Sequence, residues 1–172
     1  TMTTNGMGRG LPLAGDNRDN WQFMRDRLAD PLLHPSPEQI EFTAQVFQEF
    51  LSIRRDAPLL RLRSANDIEE RLHFHDTGPD GTPGVIVMEL RDRSPLEPLD
   101  ADIDAMMIVF NATGRRVSIV VPDAIGRTFV VHEVQAGGVD AEWLRGAFVA
   151  TANGRVSVPA FSTVVFVEPG AR

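Results

Sequence analysis

Pro58 divides this chain into two kinds of pattern, and the apolar-periodic run that it ends constrains the fold more than any other stretch. That run opens at Ser36, which reads as an N-cap. Pro37 follows at the first helical position, where its missing N–H costs nothing, and Gln39 stands three residues after the serine to complete a capping box. Ile40, Ala44, Phe47 and Leu51 recur at helical spacing, with Phe42, Val46, Phe50 and Ile53 as a second apolar shoulder. The spacing predicts one long helix from Ser36 to Pro58, apolar on two sides. Proline at 58 supplies no donor and disfavours α conformation at Ala57, so the helix stops there. A helix of this kind needs more cover than one small sheet provides.

Beyond Pro58 the period changes. Ser64 and Asp67 form an S-x-x-D cap for one or two helical turns around Ile68. Short β-type runs then follow at 71–75, 84–90, 105–110, 116–121, 128–134, 147–150, 156–158 and 163–168. Turn signals stand between them: Thr77-Gly78-Pro79-Asp80-Gly81, Ser94-Pro95, Thr113-Gly114, Pro122-Asp123, Gly137-Gly138 and Asn153-Gly154. Short strands at regular spacing predict an antiparallel sandwich or barrel rather than βαβ units. Asn153-Gly154 reads as the turn of a hairpin, of type I′. Before the long helix, residues 1–20 are rich in glycine, asparagine and aspartate and read as irregular structure. Asn20 is then placed to cap a short helix that carries Trp21, Met24 and Leu28 on one face and ends near Asp30-Pro31. The layout is a helix-rich segment over 1–58 followed by an all-β unit over 59–172.

Charge and composition remove several classes of function. The net charge of −7 and scattered arginines, with no lysine in the chain, argue against a phosphate-backbone partner. The absence of cysteine excludes disulfides, thiolate metal sites and cysteine nucleophiles. No apolar run reaches the roughly 18 to 20 residues of a membrane span, and the first residues do not form a secretion signal. Gly6-Met7-Gly8-Arg9-Gly10 lacks both the G-x-G-x-x-G spacing and a Walker lysine, so it is not read as a phosphate cradle.

Residues that could carry chemistry are few. His73 and His75 lie two apart on an expected strand, so both face one side with Asp76 next in line; the spacing can ligate a metal, but no third ligand is tied to them. Asp100, Asp102 and Asp104 resemble the start of a calcium loop, yet Ala105 and Asn111 stand where glycine and glutamate are needed. Trp21 and Trp143 are the only tryptophans and tyrosine is absent, so both are read as packing anchors. Asn111-Ala112-Thr113 is an acceptor sequon at a strand end. No nucleophile elbow is present, and nothing sets two carboxylates at the separation of a glycosidase pair. Neither a metal site nor a cofactor is expected.

Several segments together resemble a known family. Gly8-x-Gly10-Leu11-Pro12, Asp16-Asn17-x-Asp19-Asn20-Trp21, Leu28-Ala29-Asp30-Pro31, Phe50-Leu51-x-Ile53-Arg54 and Pro58-Leu59-x-Arg61-Leu62 look like the C-terminal region of pullulanase-type α-1,6-glucosidases of the α-amylase superfamily. The likeness continues through Thr77-Gly78-Pro79-Asp80-x-Thr82-Pro83-Gly84-Val85-Ile86-Val87-Met88, Val109-Phe110-Asn111-Ala112-Thr113 and Val134-Gln135. Met7, Leu13 and Gly15 depart from the family pattern, in which aromatic residues or proline are frequent at these positions.

The resemblance implies a mainly β chain with an N-terminal helical segment. In it, residues 1–58 are the last loop and helix of a (β/α)8 barrel, and residues 59–172 are an antiparallel β-sandwich C-terminal domain. It implies a fragment whose catalytic aspartate, acid glutamate and second aspartate sit on barrel strands upstream, so no catalytic residue is carried over. The loop after the eighth strand lies on the catalytic face of such barrels, which makes Asp16 and Asn17 the expected substrate-side contacts. The implied partners are the rest of the barrel and, through it, an α-glucan, and the helix face stripped of its cover is expected to self-associate. The competing expectation is a free-standing α-glucan-binding module.

Overall fold

The computed structural model describes residues 14–93 and 95–170. The motif Gly8 to Pro12, the departures at Met7 and Leu13, and Ser94 of the Ser94-Pro95 turn lie outside the described residues. Two compact units are distinguished, with the division between Ala44 and Gln45. It falls inside the long helix.

In the first unit, the segment expected to be irregular forms two short helical turns, α1 (Ala14–Asn17) and a 3-10 turn at Arg18–Asn20. α2 (Trp21–Ala29) follows directly. Asn20 precedes it but makes no side-chain cap; its amide instead donates to the Asn17 side chain. That bond turns the Asn20 side chain toward the preceding turn rather than toward the N–H groups at the helix end. Asp30 caps the next turn by accepting from the Leu32 N–H at 2.9 Å. α3 (Pro37–Asp56) then begins with the expected capping box: the Ser36 N–H donates to Gln39 Oε1 at 2.8 Å, and the Gln39 N–H donates to Ser36 Oγ at 3.3 Å.

The second unit is built from antiparallel strands. β1 (Leu72–His75), β2 (Val85–Arg91), β3 (Ile103–Asn111), β8 (Ser162–Pro169) and β5 (Val130–Val131) form one sheet in the order β1-β2-β3-β8-β5. β4 (Val117–Val120), β7 (Arg155–Val158) and β6 (Phe148–Ala150) form the other, in the order β4-β7-β6. Alternation along the strands sorts the side chains into two cores. Val87, Ala105, Met107, Val109, Val164 and Phe166 meet Val117, Ile119, Val149, Val156 and Val158 between the sheets. On the opposite face of the larger sheet, Leu90, Met106, Ile108 and Val165 are covered by Ile53, Ala57 and Leu59. The sheet is therefore buried on both sides, which is why β3 is apolar at nearly every position from Ala105 to Val109 rather than alternating.

α3 docks by its second shoulder: Ile53 is buried and Phe50 joins the second core. On its other side, Phe47 is 63% exposed and Leu51 48%. Ala57 turns extended before Pro58, as the proline requires. α4 (Ala65–Arg71) carries the expected cap, with the Asp67 N–H donating to Ser64 Oγ at 3.0 Å.

Two further expectations are corrected. The run 128–134 is a strand only at Val130–Val131, after which α5 (Glu133–Ala136) begins, with the His132 ring accepting from the Val134 N–H at 3.2 Å. The hairpin between β6 and β7 forms, but not through a type I′ turn. Four residues separate Ala150 from its partner Arg155, and only Gly154, at φ +65°, is left-handed. The Gly154 N–H closes the turn on Ala150 O at 2.8 Å. A type I′ turn needs positive φ at two central residues, and a four-residue loop does not.

Candidate functional site

Asp16 and Asn17 lie next to each other at the end of α1, Asp16 exposed and Asn17 half-buried. The Asn17 side chain accepts the amide of Asn20, so it closes the turn that leads into α2. Nearby, Arg27 stacks 3.4 Å from the Phe23 ring centroid, and its Nη1 donates to Phe23 O at 3.0 Å.

The densest charge in the sandwich gathers on Glu89, which is fully buried on the inter-sheet face of β2. Its Oε1 accepts from Arg127 Nη1 at 2.5 Å, its Oε2 accepts from Arg91 Nη2 at 2.9 Å, and His75 Nε2 lies 2.7 Å from Oε2. Arg127 continues to Glu168 on β8, with Nη2 to Oε2 at 2.6 Å, and Arg91 reaches Asp123 at 2.6 Å. Burial works to raise the Glu89 pKa, but hydrogen bonds from His75, Arg91 and Arg127 outweigh it and hold the carboxyl well below the usual range. Thus His73 and His75 do share a face, as their spacing predicts, but His75 is committed to a carboxylate rather than offered to a metal. Among the described residues no group of three or more His, Asp or Glu side chains stands in a metal-holding arrangement. The network ties β1, β2, β8 and the segment before β5 into one end of the core.

A second buried pair organises the segment from 92 to 104. Asp92 contacts Arg71 and also accepts from the N–H groups of Leu99, at 2.8 Å, and Asp100, at 2.7 Å. Asp100 in turn accepts from the Asp102 N–H at 2.9 Å. The acidic triplet is therefore an ordered turn. Asp100 and Asp102 border a groove of about 450 Å³ that also includes Asp56, Ile103, His132 and Glu133. Asn111 of the sequon is likewise structural: it is buried, donates to Arg115 O at 2.9 Å and Pro159 O at 2.5 Å, and accepts from Thr113. A folded chain leaves this amide no room for a glycan.

Trp143 corrects the packing expectation. The residue is 58% exposed, and its Nε1–H donates to Ala160 O at 2.9 Å. Trp21 is half-buried in α2. Neither Glu89 nor Trp143 is singled out by spacing in the sequence. A lone carboxylate inside Val85–Arg91 is a readable signal of a buried partner, but Arg127, 38 residues later, is joined to it only by the fold.

These features define a class: a helix-backed antiparallel β-sandwich whose buried charges brace its loops. Residues 2–169 match the family described as alpha-1,6-glucosidases, pullulanase-type, C-terminal, and the chain belongs to that family. It is 36% identical over 172 residues to pullulanase 1, chloroplastic, of Arabidopsis thaliana, a match that covers 98% of this chain and 18% of the relative. With the pullulanase of Klebsiella pneumoniae it shares 24% identity over 170 residues, covering 98% of this chain and 15% of the relative. The crystal structure of apo pullulanase from Klebsiella pneumoniae superposes with a TM-score of 0.80 at 25% identity, over 95% of this chain and 17% of that one. The chain thus spans less than a fifth of the length of the relatives it matches. The mainly β fold with a helical segment agrees with the resemblance read from the sequence.

Proposed function

We infer that this chain serves as the non-catalytic C-terminal portion of a pullulanase or limit-dextrinase-like debranching enzyme, one that hydrolyses α-1,6-glucosidic bonds in pullulan, glycogen or starch-derived dextrins. In this reading residues 1–58 supply the last loop and helix of a (β/α)8 barrel, residues 59–172 are the sandwich that backs it, and the nucleophile and acid lie on barrel strands outside this chain. Asp16 and Asn17, at the end of α1, then face the substrate side of the barrel.

One observation supports the reading most: α3 is buried on the sheet through Ile53, while Phe47 and Leu51 stay open on the same helix. Large apolar side chains in a row on one helix face mark an interaction surface. The occupant proposed for it is the remainder of the barrel. Deprived of that occupant, copies of the chain are expected to associate through the same face. Light scattering across a concentration series tests this: the wild-type mass should rise with concentration, and the double variant F47E/L51E should remain a monomer. A wild-type chain that stays monomeric throughout would count against the reading.

A further inference from the structure

Outside α3, the two most exposed aromatic side chains of the sandwich are Phe161, at 71%, and Trp143. Both are held in place by bonds that a merely stray surface residue would not need. Phe161 sits at φ +44°, in the left-handed region that glycine favours and a bulky aromatic avoids. Its N–H donates to Thr113 O at 3.0 Å, and its ring lies across Gly114, where an added Cβ would stand 3.5 Å from the ring carbons. Such strain persists only where the surrounding structure over-determines it, and here the ring itself stays outside. Strained, non-glycine positions of this kind cluster at ligand-binding sites.

Trp143 is tied to the same point. Its only donor, the indole N–H, goes to the carbonyl of Ala160, the residue immediately before Phe161. The platform beneath is braced by Asn111, which grips Pro159 O and Arg115 O, and by Ser162, whose Oγ donates to Pro159 O at 2.8 Å. Charged groups stand on and beside the turn that carries Trp143: Glu142 and Arg145 pair with each other, and Arg116 Nη1 donates to Gly146 O at 2.9 Å. Two fixed aromatic surfaces, one on a turn that also carries charged side chains, suit a pyranose ring, which has an apolar C–H face and a belt of hydroxyls. They suit a protein partner less well, because the patch is interrupted by charge.

The geometry points to a surface subsite for a linear α-glucan chain, built on Trp143 and Phe161. The choice of glucan rests on the debranching reading above; the existence of a built aromatic platform does not. The site would hold a linear segment of a large substrate against the sandwich.

The test uses the whole 172-residue chain and maltoheptaose. In a W21F background Trp143 is the only tryptophan, so its fluorescence reports the site directly. The expected result is a saturable change with maltoheptaose, with affinity reduced roughly tenfold or more in F161G and in W143A, the latter read by calorimetry. F161G is the informative variant. Glycine relieves the left-handed backbone, so its thermal midpoint should equal or exceed that of wild type while binding is lost. F148A, which removes a less exposed aromatic on β6, should bind as wild type. No saturable change, or an F161G affinity equal to wild type, would overturn the site. So would self-association that F161G abolishes in a chain that binds no maltoheptaose. The two readings fail separately: release of reducing sugar from pullulan by this chain contradicts its non-catalytic role and leaves the aromatic site standing.

Discussion

Glu89 ties separate parts of the sandwich together, because three basic groups from three segments converge on one buried carboxylate. Removing one member of such a cluster leaves the others desolvated and unpaired, at a cost of about 3 to 5 kcal/mol. E89Q should therefore lower the urea midpoint at neutral pH, while Arg127 keeps Glu168 as its carboxylate partner. The pH dependence has a definite sign. A carboxyl held below its ordinary 4.5 binds protons more weakly in the folded than in the unfolded chain. Its contribution is complete above about pH 4.5 and is lost as the pH falls below that value. The gap between wild type and E89Q should narrow in urea titrations run at pH 3. Gly154 is a second residue with a single role. At φ +65° it is left-handed, and a Cβ there would collide with Val121 O, whose own chain bonds back through the Val121 N–H to Gly154 O at 2.8 Å. G154A should cost about 1 to 3 kcal/mol, measured by the same denaturation.

α5 shows how a short element can finish a sheet edge. β5 pairs with β8 only at Val130–Val131, and the His132 N–H adds one bond to Val165 O at 2.8 Å. The buried Gln135 amide then takes over the role of a strand: its Oε1 accepts the Val165 N–H at 2.7 Å and its Nε2 donates to Thr163 O at 2.9 Å. Without it, two polar groups of β8 lose their partners. Q135A should speed hydrogen exchange at the Val165 amide well beyond that at Met107, a central position of β3. His132 makes the element sensitive to pH. Burial pushes its pKa down, and nearby Glu133 and Asp56 only partly offset this. Since the folded chain prefers the neutral ring, this contribution is complete above about pH 6.5 and declines as the pH falls through and below that value. Protonation of Nδ1 also removes the acceptor for the Val134 N–H. H132N can still cap but does not titrate, so its stability between pH 7 and pH 5 should be flatter than that of wild type.

For the whole molecule, what the sequence discloses is local and what it hides is long-range. The caps at Ser36 and Ser64 and the stop at Pro58 are legible because their partners lie within three or four residues. Seven of the eight expected runs give strands close to the predicted bounds, because the alternation or apolar character of β2, β3 and β8 extends over whole elements. The eighth, 128–134, misleads because Val130, Val131 and Val134 read as one strand, while His132 and Gln135 act through side chains. The Glu89 cluster and the Trp143–Phe161 platform join residues tens of positions apart or depend on one backbone angle, which no spacing rule encodes. That α3 is apolar on two sides is legible from its spacing, but which side is covered is decided by the fold: Ile53 and Phe50 dock, and Phe47 and Leu51 are left exposed. Family membership joins these parts: the chain matches the C-terminal family of α-1,6-glucosidases and spans a small share of its relatives. The central proposal is that it supports catalysis carried out elsewhere in a longer polypeptide. The most direct measurement is the release of reducing ends from pullulan by the purified 172-residue chain. The account predicts none above the blank, and release that persists after removal of contaminating hydrolases would contradict it.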